Sequence, residues 1–157
     1  QDTLVYYSRA TSPRNDRRII NEGLLLSQLK DAVMAFNIEH GTKYRVATHD
    51  GSLTVEEQVK LLRRAKIAFG THGAGMSTII HAQPGATLIE FPLLEEQSVQ
   101  HFFRHLAACT GVDYYLADGL GCTFSGNLEL SSPEHDQGIA DFLATVQSIL
   151  EGALPEE

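Results

Sequence analysis

Short apolar runs alternate with longer amphipathic ones along almost the whole chain, and that alternation restricts the fold more than any single motif does. Residues 4–7, 44–48, 67–69, 87–91 and 112–116 read as strands from their β-branched, aromatic and apolar content. Between them lie helical patterns: 22–36 with Asn21 as its cap, a helix to residue 65 opened by the capping box Thr54-Val55-Glu56-Glu57, a short one over 77–82 ended by Pro84-Gly85, 99–108, and 137–150 after a Gly/Ser-rich loop at 119–133. Strict β/α alternation predicts a parallel sheet covered on both faces, an α/β domain with a Rossmann-like, doubly wound sheet. At 157 residues and 43% hydrophobic content the chain suits one such domain, over 1–153, with an acidic tail at 154–157 expected to be disordered. The first residue is Gln1 rather than Met, which suggests a domain cut from a longer protein.

The segment Phe69-Gly70-Thr71-His72-Gly73-Ala74-Gly75-Met76-Ser77 joins the third strand directly to the short helix. Such a junction leaves backbone N–H groups at a positive helix end, with no Cβ atoms to hold a ligand off, which is one way to bind phosphate. A tight turn that simply needs glycine would look the same. The order is G-x-x-G-x-G, not the dinucleotide fingerprint G-x-G-x-x-G.

The net charge of −8 is unevenly spread: Arg9, Arg14, Arg17 and Arg18 fall close together, and no Lys or Arg follows Arg104. This argues against the wide basic face that nucleic-acid or anionic-membrane binding needs, and favours one local anion site near the N-terminus, with a solvated arginine loop as the alternative. Cys109 and Cys122 fit no metal or C-x-x-C spacing and read as free thiols or one disulfide. No apolar run is long enough to span a bilayer and no signal segment opens the chain, so no direct membrane contact is expected from this segment.

Ligands of doubly wound sheets bind outside the carboxyl ends of the strands. Ser8 and Arg9 follow the first strand, His49 and Asp50 the second, Thr71 to Gly75 the third, and Glu90 closes the fourth. His72 either hydrogen-bonds a ligand or braces its loop through a backbone carbonyl. Glu90 is either a satisfied structural carboxylate or an acceptor for ribose hydroxyls.

The series Tyr7-Ser8-Arg9, Arg17-Arg18-Ile19-Ile20-Asn21-Glu22, Glu57-Gln58-Val59, His72-Gly73-Ala74-Gly75-Met76, Pro84-Gly85 and Ile89-Glu90-Phe91-Pro92 resembles glycosyltransferase family 61. That family includes plant β-1,2-xylosyltransferases and animal O-linked N-acetylglucosamine transferases. The resemblance implies an inverting, metal-independent transferase of the two-domain GT-B type, with this chain as the C-terminal half that holds the UDP-sugar. It implies as partners a glycan or glycoprotein acceptor and an N-terminal half supplying acceptor contacts and the catalytic base. No cofactor besides the donor substrate is implied.

Arg9 and Arg17 hold the positions the family motif marks and are the expected diphosphate ligands, while Arg14 and Arg18 are expected to be solvated. The amides of Gly73, Ala74 and Gly75 would cradle a phosphate. Ser8, His72 and Glu90 complete the expected nucleotide-sugar site, with Glu90 at the ribose.

His101 and His105 stand four apart on a helical pattern but lack a third ligand, so a polar helix face is the expectation. His72-Gly73-Ala74-Gly75 resembles an esterase oxyanion motif, yet no G-x-S-x-G elbow occurs. Two functions from different classes remain: the donor-binding half of a glycosyltransferase, or a non-catalytic Rossmann-like module for another nucleotide or dinucleotide. The family resemblance points to the Golgi or endoplasmic reticulum lumen, or to the cytoplasm for a bacterial protein.

Overall fold

The computed structural model describes residues 1–12, 16–94, 97–122, 126–130 and 133–152. Strands β1 (Thr3–Tyr7), β2 (Arg45–His49), β3 (Ala65–Thr71), β4 (Thr87–Phe91) and β5 (Asp113–Leu116) form one parallel sheet in the order β2-β1-β3-β4-β5. Helices α1 (Glu22–His40), α2 (Val55–Arg63), α3 (Gln97–Thr110) and α4 (Pro133–Glu151) cover it, with a 3-10 helix at Ala74–His81. The expected doubly wound α/β fold is present.

The central strands are buried, apart from the partly exposed Lys66 of β3, because each face lies under helices. Leu4, Tyr6, Phe69 and Phe91 point to one core, closed by Leu25, Leu29 and Phe36 of α1 and by Phe142 and Val146 of α4. Val5, Ala68 and Leu88 point to the other, closed by Leu62 of α2, Met76 and Ile79 of the 3-10 helix and Phe103 of α3. Each fully buried large apolar side chain contributes about 1.5–3 kcal/mol, so the alternation along β1, β3 and β4 fixes the register as well as the faces.

Several boundaries differ from the sequence reading for local reasons. Helix α1 runs beyond residue 36 because Gly41, at φ 66°, is its true stop and donates its N–H to Asn37 O; Ile38 is exposed, which hid the last turn from an apolar-pattern reading. Asn21 stands at the N-cap but makes no side-chain cap, since its Oδ1 accepts from the Leu130 N–H at 2.8 Å instead. The Thr54–Glu57 capping box forms as expected, though α2 ends at Arg63 and Ala65 already opens β3.

Strand β3 extends through Gly70 and Thr71, which the sequence reading had placed in the junction. Gly70 is required there: its φ is 159°, and a Cβ would sit 2.9 Å from Tyr7 O. The expected short helix over 77–82 is a 3-10 helix that starts earlier, at Ala74. Gly75 and the β-branched Thr78, Ile79 and Ile80 are poor α-helix formers, and 3-10 geometry is used in such short pieces.

The expected loop at 119–133 holds a 3-10 turn, Asp118–Leu120, at its start and two bridges, Leu93 to Cys122 and Ile19 to Leu128. Helix α4 begins at Pro133, before the expected residue 137. Cys109 is exposed, Cys122 is buried, and no disulfide joins them. Among the described residues no helix is long and apolar enough to cross a membrane. Arg14 and the 154–157 tail lie outside the described residues.

Candidate functional site

In this strand order the chain leaves β1 for β2 on one side and continues from β3 to β4 on the other, so the switch point lies between β1 and β3. A cleft of about 470 Å³ opens there at the carboxyl edge, walled by the segments that follow β1, β2 and β3. Ser8, Arg9, His49, Asp50, Gly73 and Gly75 line it.

One end of the cleft carries a positive charge, that of Arg9. Arg9 is fixed by Nε donating to Asp16 O at 3.1 Å and Nη2 to Asp16 Oδ1 at 2.7 Å. Burial works against ionisation of Asp16, but the Arg9 hydrogen bond and the Arg17 and Arg9 charges outweigh it and hold the carboxyl below its ordinary range. With Nε and Nη2 engaged, Nη1 lies against Gly73, where any added Cβ would run into it, and makes no hydrogen bond among the described residues. Gly73 is extended at φ 174°, so glycine is needed for that close approach and not for backbone conformation.

Met76 N–H donates to Gly73 O at 2.9 Å, the first bond of the 3-10 helix. The N–H groups of Gly73, Ala74 and Gly75 precede that bond and have no acceptor within the helix. Ala74 and Gly75 are exposed. One end of the cleft thus holds Arg9 Nη1 and the glycine loop, of which Gly73 and Gly75 line the cleft and Ala74 lies exposed beside them.

At the other end, Asp50 Oδ1 accepts from Ser52 N at 3.0 Å and Ser52 Oγ at 2.6 Å. The Ser52 side-chain bond, then its backbone bond, holds this carboxyl below its usual range, so it is ionised. Thr11 Oγ1 donates to Asp50 O at 2.8 Å and ties the β1 loop to the β2 loop. His49 is buried beneath, its ring 5.5 Å from that of Tyr7, and its Nδ1 accepts from Gly51 N–H at 3.2 Å. Burial pushes its imidazole pKa down, with Asp50 and Gln58 opposing.

Behind the glycine loop the side chains turn inward. Glu90 has no exposed surface; one carboxylate oxygen meets His72 Nδ1 and the other accepts from Tyr114 OH at 2.7 Å. Burial, with Glu90 adding to it, holds the Tyr114 hydroxyl protonated. Phe103 packs edge-on against the His72 ring at 4.9 Å. Arg17 is also buried, at φ 54°, with Nη1 donating to His72 O at 3.2 Å while its own carbonyl accepts from Thr71 Oγ1 at 2.8 Å.

Residues 1–89, more than half of the chain, match the family model of Glycosyltransferase 61. The chain belongs to this family. The family-61 match spans every segment that lines the cleft and stops one residue short of Glu90. No curated protein matches significantly. Among solved structures, the chain is similar to oxidised flavodoxin 2 from Bacillus cereus, at 10% identity and a TM-score of 0.54, over 97% of this chain and 99% of the flavodoxin. It is similar also to CapF with the inhibitor 3-isopropenyl-tropolone, at 10% identity and a TM-score of 0.47, and spans 48% of that chain. The flavodoxin likeness shows the fold alone.

Of the residues expected at the site of this family-61 domain, the structure brings Ser8, Arg9, Gly73 and Gly75 to the cleft and exposes Ala74 beside them. Arg17, His72 and Glu90 stand outside its lining. Glu90 is buried with both oxygens engaged, and the His72 ring meets that carboxylate, where the sequence leaves open a ligand contact or a brace through a backbone carbonyl. Ser8 Oγ is engaged by donating to Glu22 at 2.9 Å, a carboxylate that also takes Tyr6 OH at 2.9 Å. Arg18, expected to be solvated, is half-buried and donates through Nη2 to Ser12 O at 2.9 Å.

Asp16, Ser52 and Tyr114 escaped the sequence reading. An acid between Arg9 and Arg17 was a usable signal for Asp16, and Asp50-Gly51-Ser52 is a turn signature; nothing in the sequence points to Tyr114. His101 and His105 are exposed with rings 6.2 Å apart, and no group of three potential metal ligands occurs among the described residues.

Proposed function

We propose that this family-61 domain binds the diphosphate of a UDP-sugar in the cleft between β1 and β3, and that it is the C-terminal, donor-binding half of an inverting, metal-independent glycosyltransferase of the GT-B type. The observation that carries the reading is that Arg9 Nη1 lies against the glycine loop at the start of the 3-10 helix, with Arg9, Gly73 and Gly75 lining one cleft.

When an acceptor hydroxyl attacks the anomeric carbon, the bond to the β-phosphate oxygen breaks and negative charge grows on the departing UDP. A fixed guanidinium and N–H dipoles aimed at those oxygens stabilise that charge without reorganising. The acceptor proton goes to a base that the reading assigns to the N-terminal half, together with the contacts to a glycan or glycoprotein acceptor. The transferred group is of the pentosyl or hexosaminyl class, and the setting is the secretory-pathway lumen, or the cytoplasm of a bacterium.

Thermal shift with UDP, UDP-sugars, GDP, NAD and FAD tests the reading. A ligand bound only by the folded chain, at a hundred times its Kd, stabilises it by about 2.7 kcal/mol. UDP and its sugars should raise the melting temperature more than NAD or FAD. A shift with NAD and none with millimolar UDP would replace this reading with a dinucleotide-binding module.

A further inference from the structure

The cleft has two chemically different ends, and the diphosphate reading uses only one. Glu90, with no exposed surface and both oxygens engaged, is not available to a ligand. Asp50 lines the cleft opposite the arginine-and-amide end, and only its Oδ1 is engaged, by Ser52; no hydrogen bond reaches Oδ2 among the described residues. Ser52 and the Thr11 bond to the Asp50 carbonyl fix the position of this carboxylate before any ligand arrives.

His49 lies buried beside this carboxylate and lines the same cleft. Because its Nδ1 accepts from Gly51 N–H, a neutral ring carries its proton on Nε2. That atom is buried and has no hydrogen-bond partner; Gln58 stands near enough to favour the charged ring but not in hydrogen-bonding geometry. Buried polar atoms are rarely left so. With no surface of its own that N–H stays out of a ligand's reach, and the ionised Asp50 carboxylate, with Oδ2 unused, is the group that suits a hydroxyl, which donates to it.

We propose that Asp50 accepts hydrogen bonds from the vicinal diol of a ribose, so that the cleft takes a ribonucleoside diphosphate with its phosphates at Arg9 and the glycine loop and its sugar at Asp50. This rests on the UDP-sugar reading above and adds to it the residue that selects the sugar of the nucleotide. A carboxylate presents acceptors only, and a 2′-deoxy ligand leaves one of them unmatched.

The test is titration calorimetry of UDP, 2′-deoxy-UDP and inorganic pyrophosphate into the wild-type chain and Asp50→Asn, which keeps an acceptor for Ser52, with circular dichroism to confirm folding. The wild type should bind UDP roughly tenfold more tightly than 2′-deoxy-UDP, the strength of one good hydrogen bond. Asp50→Asn should bring UDP down to the 2′-deoxy level and leave pyrophosphate as tight as before or tighter. Wild-type binding of UDP with no preference over 2′-deoxy-UDP overturns the Asp50 assignment alone, and needs no variant to fold. Equal losses of UDP and pyrophosphate in Asp50→Asn overturn it too. If the wild type binds neither UDP nor pyrophosphate, the UDP-sugar reading falls and the assignment with it.

Discussion

The two sides of the glycine loop differ sharply although neighbouring residues of one short motif, His72 and Gly73, face them. On the cleft side Arg9, Gly73, Gly75 and Asp50 offer a guanidinium N–H group, amides and a carboxylate oxygen that nothing in the described chain uses. On the inner side His72, Glu90 and Tyr114 satisfy one another, and Arg17 closes on the His72 carbonyl. The charged residues around the loop thus divide between those that line the cleft, Arg9 and Asp50, and those that hold the loop from behind, Arg17 and Glu90. Burying a carboxylate against a histidine is costly unless every partner is supplied, and here the partners of Glu90 are His72, at the end of β3, and Tyr114 on β5.

Removing the inner carboxylate strikes hardest. Glu90→Ala leaves His72 and Tyr114 without their acceptor in a buried setting, and should lower the free energy of unfolding by about 3–5 kcal/mol in urea denaturation. A loss below about 1 kcal/mol would show that the inner side is not a scaffold.

The two motif arginines should separate. Arg9→Ala should weaken UDP by about 1.5–3 kcal/mol, a charge-assisted hydrogen bond, with little change in unfolding. Arg17→Ala should instead appear mainly as lost stability, since its guanidinium holds His72 O. Equal effects on UDP with no loss of stability would merge the two sides into one diffuse positive field.

A milder change sharpens the same contrast. In Gly73→Ala the new Cβ meets only the end of the flexible Arg9 side chain, and the extended backbone accepts alanine. Unfolding should therefore shift by less than about 0.5 kcal/mol while UDP affinity falls about tenfold as Nη1 is displaced. Loss of folding instead would mean that the loop is itself part of the scaffold.

The smallest effect concerns His49. Its imidazole pKa in the folded chain lies below the ordinary 6.5, so on acidification the unfolded chain takes up the proton first. The stability tied to neutral His49 is complete above about pH 6.5 and is lost as pH falls below it. His49→Gln should make stability fall less between about pH 7 and pH 5, and an unchanged slope would place His49 outside the buried floor.

The layers and the position of the glycine loop were legible because burial on both faces imposes the apolar runs at 67–69 and 87–91, and because the Thr54–Glu57 box and Pro84-Gly85 punctuate them. The strand order was not, since alternation does not encode at which edge β2 joins. Arg9 and the glycine amides were readable because their chemistry is local to the chain. The roles of Glu90 and Arg17 were not: a carboxylate ending a strand looks the same whether its neighbours across the sheet are solvent or, as here, His72 and Tyr114, which lie 18 and 24 residues away along the chain.

The division between the two sides is tested most directly by following the backbone amides of the folded chain by NMR during a UDP titration. Arg9, Asp50, Gly73, Ala74 and Gly75 should shift together with one saturation curve, while Tyr114 and Leu116 on the inner side stay in place. Shifts centred on Tyr114 and Leu116, or UDP saturation that leaves Gly73 and Arg9 unmoved, would contradict it.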